Sequence, residues 1–438
     1  MAGCAAQGAG DGSVDAAATD STDTRGITDA ADASDAAVDT GPPGPVLYPA
    51  DRSLSPVTAS IADRMRAIAG LGAGLSENVF AKIGDSNTVS TNFLRCFAGA
   101  NVNLSGRTAL QPTIDHFRAG DAAGTDPYTR TTLAATIGWS AWSAVAGTPS
   151  PLTQETGAIH PQYGVVMFGT NDIQSCNVDR FAGNMLDIAD QLIAGGTVPL
   201  FTSVPPRDDD PAADAWVPRY NAVVRAVAQS RQVPFLDLER ELRMLPGHGL
   251  GPDGLHLNAY FPAAGVRPCV FDATGLGYGS NVRNLLTIQS LDRAHRAVSD
   301  GSTAPPDATA PTLRGRGTPV DPYVIDALPF ADARNSTSAG TRAIASYPGC
   351  GSTADESGPE FDYVLTVARP MHVRAMVFNR GTVDTDVHLL GAAIDGASCI
   401  ARDDKLIVSD LTPGTYHFAL DTYVSAGVEH AGEYLFVL

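Results

Sequence analysis

The sequence predicts two unlike folded units, an α/β unit whose parallel sheet is covered on both faces and, after it, an all-β sandwich. Three observations predict this. Through residues 55–238, strand-like apolar runs alternate with stretches of helical period. Runs such as 165–168, and 198–201 at the start of the strand 198–203, are continuously apolar rather than alternating, the mark of strands buried on both faces. Beyond a linker at 301–318, rich in Gly, Ser, Thr, Ala, Pro and Arg, helical periodicity stops and short alternating runs take over.

Taken in order, residues 55–71 carry Val57, Ile61, Met65 and Ile68 at spacings of three and four, an amphipathic helix closed by Gly70 and Gly72. A strand through Val79, Phe80 and Ile83 breaks at Gly84-Asp85 and delivers Ser86. Residues 91–135 give no assignment, and Thr132 to Ile137 reads as a second strand before Gly138. The run 165–168 is a buried strand and 181–193 a helix with Met185, Ile188, Leu192 and Ile193 on one side. A strand at 198–203, a helix at 216–230 with Tyr220, Val223, Val224 and Val227, and a strand at 233–238 follow; the loop 258–280 is unassigned. In the last third, runs at 362–368, 372–378, 386–390, 405–408, 415–422 and 433–438, separated by Gly, Pro, Asp and Asn, are the strands of the sandwich. The organisation expected is therefore a leader at 1–45, the α/β unit at 46–300, the linker at 301–318 and the sandwich at 319–438.

The chain has 438 residues and a net charge of −19, and residues 5–45 supply seven of those negative charges through eight aspartates and one arginine. No basic patch points to nucleic acid or anionic lipid head groups. No uninterrupted apolar stretch approaches the roughly 18–20 residues that span a bilayer. The segment 5–45 is poor in aromatic and branched apolar residues and cannot bury enough surface to order itself. Met1-Ala2-Gly3-Cys4 is similar to the end of a bacterial lipoprotein signal, whose apolar region is missing upstream. Either the sequence starts late and Cys4 carries a lipid, or Cys4 is an incidental thiol; the acidic tether that follows favours the lipid. Of the other cysteines, Cys350 and Cys399 are the only pair in the sandwich and are expected to form a disulfide in an exported protein, whereas among Cys96, Cys176 and Cys269 the sequence does not choose. No Cys/His spacing matches a zinc site, so no metal and no cofactor are assigned.

Three motifs carry chemistry. In Lys82-Ile83-Gly84-Asp85-Ser86-Asn87 a strand ends in a tight turn that lifts a serine hydroxyl beside the free N–H groups of a helix start; read alone, Gly-Asp-Ser is equally a helix N-cap. Val165 to Asp172 is a strand emptying into Gly169-Thr170-Asn171. Gly251 to Leu257 places Asp253 and His256 three residues apart on one loop. Ligands of a parallel sheet sit beyond the carboxyl ends of its strands, where all three motifs fall.

Ser, then Asn, then Asp-x-x-His in this order resembles the GDSL/SGNH hydrolases over roughly residues 75–297. The resemblance implies a flavodoxin-like three-layer sandwich and a serine esterase that uses no cofactor. It implies Ser86 as nucleophile, His256 as base, Asp253 as the carboxylate orienting it, and Asn171 and the backbone N–H of Ser86 as oxyanion donors. A further glycine donor has two matches. Gly138 follows a strand-like run and is preferred; Gly106, in Asn103-Leu104-Ser105-Gly106-Arg107, matches locally but comes early. The substrate expected is an acetyl group on a glycan or a short acyl ester, taken by a monomer that is secreted or lipid-anchored at Cys4, which would be its sole link to a membrane. The alternative is an inactive surface protein whose sandwich binds.

The remaining chemistry-bearing residues have bland readings. His116 reads as a helix-surface histidine, His248 as exposed by a Gly-rich loop, and Arg207-Asp208-Asp209-Asp210 as a solvated loop at the active-site edge. Trp139 and Trp142 either wall a sugar site or pack under their loop, and Asp384 and Asp386 read as polar turn residues rather than calcium ligands. Leu411-Thr412-Pro413-Gly414-Thr415-Tyr416 and Asp421-Thr422-Tyr423 resemble the pre-peptidase C-terminal domains of secreted bacterial peptidases, which implies attachment or stabilisation rather than chemistry.

Overall fold

The computed structural model describes residues 44–299 and 306–438; the tether, Cys4 and residues 300–305 of the linker lie outside the described residues. In the first unit the elements are α1 (Ala59–Ala69), β1 (Ser76–Gly84), α2 (Ser86–Val89), α3 (Gln111–Arg118), α4 (Ala141–Val145), α5 (Pro151–Ile159), β2 (Pro161–Met167), α6 (Val178–Ala194), β3 (Val198–Thr202), α7 (Pro211–Asp214), α8 (Val217–Arg231), β4 (Phe235–Leu236), α9 (Leu238–Leu242) and α10 (Gly279–Ser299). The sheet runs β1-β2-β3-β4 with every pair parallel. All residues of β2 and β3 are buried, as continuous apolar runs require. The run 132–137 is not a strand. It contributes a single parallel bridge, Ala135 to Gly84, on the outer side of β1.

Local chemistry fixes the helix ends. Asn177 caps α6 by accepting from the Arg180 N–H at 2.9 Å, and Ser150 caps α5 through the Thr153 N–H with Pro151 in the first turn. Along α6, Phe181, Met185, Ile188 and Leu192 form the buried stripe. Helix α10 shows no clear apolar stripe because it is buried nearly all round, with Asn281, Arg283, Asn284 and Thr287 buried beside Val282, Leu285, Ile288 and Leu291. Each asparagine there ties loops together. Asn284 donates to the carbonyls of Asn92 and Pro268 and accepts from the Leu94 N–H, while Asn281 donates to the carbonyls of Arg267 and Val270. The unassigned stretches 91–135 and 258–280 are thereby fastened to one helix, and the Cys96–Cys269 disulfide fastens them to each other.

The second unit comprises β5 (Tyr323–Ile325), β6 (Ala331–Asn335), β7 (Phe361–Val367), β8 (Met371–Asn379), β9 (Thr385–Leu390), β10 (Cys399–Asp403), β11 (Leu406–Leu411), β12 (Gly414–Thr422), β13 (Val424–Ser425), β14 (Val428–Glu429) and β15 (Glu433–Val437). Two sheets, β10-β9-β12-β7-β5 and β11-β8-β15-β6, enclose a core that includes Tyr363, Val377, Val387, Leu389, Phe418 and Phe436. The Cys350–Cys399 disulfide is present as expected. Met376, Phe378, Leu435 and Val437, on the opposite face of the second sheet, join the core of the first unit. Arg380 pairs there with Asp187 at 2.8 Å and Asp190 at 3.2 Å, and Gln229 donates to the Ala331 carbonyl at 2.6 Å. Leu313 belongs to the sandwich core and Thr312 bridges Val46.

The Cys96–Cys269 bridge spans 173 positions, and removing such a constraint from the unfolded chain costs about 2–5 kcal/mol. The variant Cys96→Ala/Cys269→Ala is expected to unfold at a clearly lower temperature by calorimetry; an unchanged Tm contradicts the bracing assigned to it.

Candidate active site

The site begins with a backbone that admits nothing larger than glycine. A Cβ on Gly84 would lie 2.2 Å from Thr88 Oγ1 and 2.6 Å from the Met167 carbonyl oxygen, so only glycine lets β1 end this close to both β2 and α2. Asp85 takes the N-cap, accepting the Asn87 N–H at 3.0 Å. Because Asp85 does the capping, the Ser86 hydroxyl is left for other work.

That hydroxyl donates to His256 Nε2 across 2.9 Å, and His256 Nδ1–H donates to Asp253 Oδ2 across 2.7 Å, in the tautomer this chain of bonds requires. The Asp253–His256 loop is shaped by Asp253 itself, whose Oδ1 accepts the backbone N–H groups of Leu255 and His256 at 3.1 Å. Slight burial raises the Asp253 carboxyl, but the hydrogen bonds from the His256 ring and these backbone groups outweigh it and hold it below the usual carboxylate range. Gly254 is pressed against a neighbouring loop at φ +66°, where a Cβ would meet the Asp209 nitrogen at 2.7 Å.

Asn171 follows β2, whose Met167 is in register with Gly84, and its Nδ2 donates to the Trp139 carbonyl at 2.9 Å. One amide hydrogen is thus anchored and the other is free to donate. This contact brings the Gly138 turn, at φ +80°, beside Asn171. Gly106 lies elsewhere, next to the segment around Phe271, to whose carbonyl Arg107 donates. Of the two matches, Gly138 therefore shares the edge that Asn171 occupies.

Several residues were beyond the reach of motif reading. Arg283 of α10 is buried, donates to the Asn87 carbonyl at 2.7 Å and to Thr88 Oγ1 at 3.1 Å, and lies 3.6 Å from the centre of the Phe93 ring. Burial, opposed by the charge of Asp85, pushes its pKa down to about 9. Arg207 is not part of a solvated loop. It is buried, donates to the Thr170 carbonyl at 2.6 Å and forks onto both oxygens of Asp209, so the loops carrying Asn171 and Gly254 are braced by one side chain. His248 pairs with Asp208 at 2.8 Å. His116 sits on α3, stacked 4.0 Å from His295. Trp142 is half exposed, with Arg180 5.4 Å over its ring. The sequence signal that could have found Arg283 is an arginine in the middle of a run, 281–291, with no other charge.

Residues 83–260 match the family model of the GDSL-like lipases and acylhydrolases. This part of the chain is a GDSL-like lipase/acylhydrolase domain. The protein is accordingly a hydrolase acting on ester bonds. A search of curated proteins finds no match. Among solved structures, a GDSL-like lipase from Bacteroides thetaiotaomicron is 18% identical, covering 53% of this chain and 99% of its own with a TM-score of 0.31. A catalytic variant of an acetylxylan esterase from Geobacillus stearothermophilus is 12% identical, covering 50% of this chain and 95% of its own at 0.32. The pre-peptidase C-terminal domain of a collagenase from Bacillus anthracis is 13% identical, covering 25% of this chain and 87% of its own at 0.17.

Asp172, next to Asn171 in the hydrolase domain, is buried and accepts the Ala141 N–H on both oxygens, at 3.0 and 3.2 Å. Burial pushes its pKa up to about 7; the Ala141 N–H opposes this and the charge of Asp85 reinforces it. The folded chain thus holds a proton that the unfolded chain releases. The associated stability is complete below the unfolded value of 3.8 and is lost as pH rises through about 7. Asp172→Asn is expected to flatten this part of the dependence, gaining Tm on wild type at about pH 8 relative to about pH 5 in thermal melts; parallel profiles contradict the assignment.

Proposed function

We propose that the chain is an exported serine esterase that removes acetyl or other short acyl groups through an acyl-serine intermediate. The observation that carries this is the unbroken chain of hydrogen bonds from Asp253 through His256 to Ser86 at the carboxyl edge of the parallel sheet. Ser86 Oγ attacks the ester carbonyl as His256 Nε2 takes its proton, and Asp253 steadies the imidazolium that forms. The oxyanion is met by the Ser86 N–H, the free Asn171 amide hydrogen and the Gly138 N–H. His256 then protonates the departing alcohol, and a water activated by the same ring releases the acid and restores Ser86.

The preference for short acyl groups rests on exposure. His256 and Asp253 side chains are 44% and 52% exposed, which suits the edge of a large substrate such as a glycan. Export is supported by the Cys96–Cys269 and Cys350–Cys399 disulfides among the described residues, where no helix is long and apolar enough to cross a membrane. The inactive-binder reading needs a broken site, and Ser86, Asp253 and His256 make one connected set within a single chain.

Against aryl esters from acetate to laurate, turnover is expected to be greatest at the short end and to fall about 10⁴- to 10⁶-fold in Ser86→Ala. A Ser86→Ala variant as active as wild type would sink the proposal. Asn171→Ala is expected to lower kcat by about 10²- to 10³-fold with little change in KM; a rise in KM alone would remove it from the oxyanion site.

A further inference from the structure

The sandwich buries a cluster of carboxyl groups on the outer face of its five-stranded sheet. In β9, Val387 and Leu389 point into the sandwich core, so Asp386 and His388 point the other way. On the neighbouring β12, Phe418 and Leu420 point inward and leave Asp421 beside Asp386, its register partner. Asp362 of β7 lies on the same outer face, across from Ala419. Residues 336–360, which contain no strand, fold over this face and add Glu356 and Glu360. All five carboxylates are at most 2% exposed.

The cations available do not balance them. Arg402 of β10 contacts Asp386 and comes within 3.4 Å of Glu356. Glu356 Oε2, Glu360 Oε2, both oxygens of Asp362 and both ring nitrogens of His388 are buried without a hydrogen-bond partner. Buried carboxyl groups and imidazole nitrogens without partners are costly, and His388 Nε2 approaches Glu356 Oε1 only to 3.9 Å, beyond hydrogen-bonding reach. The His388 ring is stacked 3.5 Å from Tyr347 at an interplanar angle of 10°, while Tyr347 donates to Asp421 at 2.7 Å.

Among the described residues, Glu356, Asp386 and His388 offer donor atoms that all lie within 4.8 Å of one another. We propose that these three residues bind a zinc-class divalent ion that staples the strandless segment 336–360 to the sheet. Two carboxylates with one imidazole favour zinc, manganese or cobalt, whereas an all-oxygen set would have suited calcium. The ion would neutralise the charge that Arg402 leaves uncompensated, and it lies in the sandwich, apart from Ser86. The sequence assigns no metal because no Cys/His spacing matches a zinc site, and Asp386, read there as a polar turn residue, lies buried in β9.

The test uses the full chain, stripped with a chelator and titrated with Zn²⁺, Mn²⁺, Co²⁺ and Ca²⁺. Expected are about one equivalent of Zn²⁺ bound, a higher Tm on binding, and affinity weakened about tenfold or more in Glu356→Gln and His388→Gln with ester hydrolysis unchanged. No ion bound by the wild type, a response to Ca²⁺ alone, or His388→Gln binding as tightly as wild type each overturns the proposal. If the variants do not fold, Co²⁺ bound to the wild type decides, since visible bands of a nitrogen-ligated site are expected and their absence overturns it.

Discussion

Burial of the turn after β1 is the constraint on which the hydrolase domain depends. Three successive residues there, Gly84, Asp85 and Ser86, must leave a parallel strand, start a helix and present a hydroxyl, with almost no water to satisfy polar groups. Glycine solves the crowding, and Asp85 satisfies the helix start. Asp85 is itself fully buried, and burial raises its pKa while the charge of Arg283 opposes this. Arg283 reaches the same turn from the far end of the chain's first unit, so the turn that carries Ser86 is held by α10 as well as by β1. A buried guanidinium contributes little net stability, since desolvation consumes much of its attraction, but it permits one arrangement of the turn and few others.

The loops that complete the site are held by the same kind of polar bracing. Arg207 joins the Asn171 loop to the Asp253 loop, and Asn281 and Asn284 join α10 to the stretches around Cys96 and Cys269. The sandwich adds a second layer by packing its sheet against α6 and α8 through Met376, Phe378, Leu435 and Val437.

What could be read in the sequence follows from this division. Apolar runs that are buried on both faces announce themselves, which is why β1, β2 and β3, helices α1, α6 and α8, and six sandwich strands were legible. The motifs around Ser86 and Asn171 and the Asp253-x-x-His256 loop were also visible, and the structure brings Ser86, His256 and Asp253 into one hydrogen-bonded chain. Elements stabilised by buried polar groups were not legible. Helix α10 hides its period behind Asn281, Arg283, Asn284 and Thr287, and Arg207 in a run of aspartates looks solvated until its carbonyl partner at Thr170 is known. The run 132–137 failed in the opposite direction, since its apolar residues pack beside β1 but pair through one bridge only.

The central claim is that Ser86 is a nucleophile activated by His256. The most direct measurement is covalent trapping with an organophosphorus ester probe, followed by peptide mass spectrometry of the modified chain. The account predicts about one adduct per chain, located on the peptide containing Ser86, that does not form when His256 is replaced by alanine. No adduct on the wild type, or an adduct confined to another residue, would contradict it.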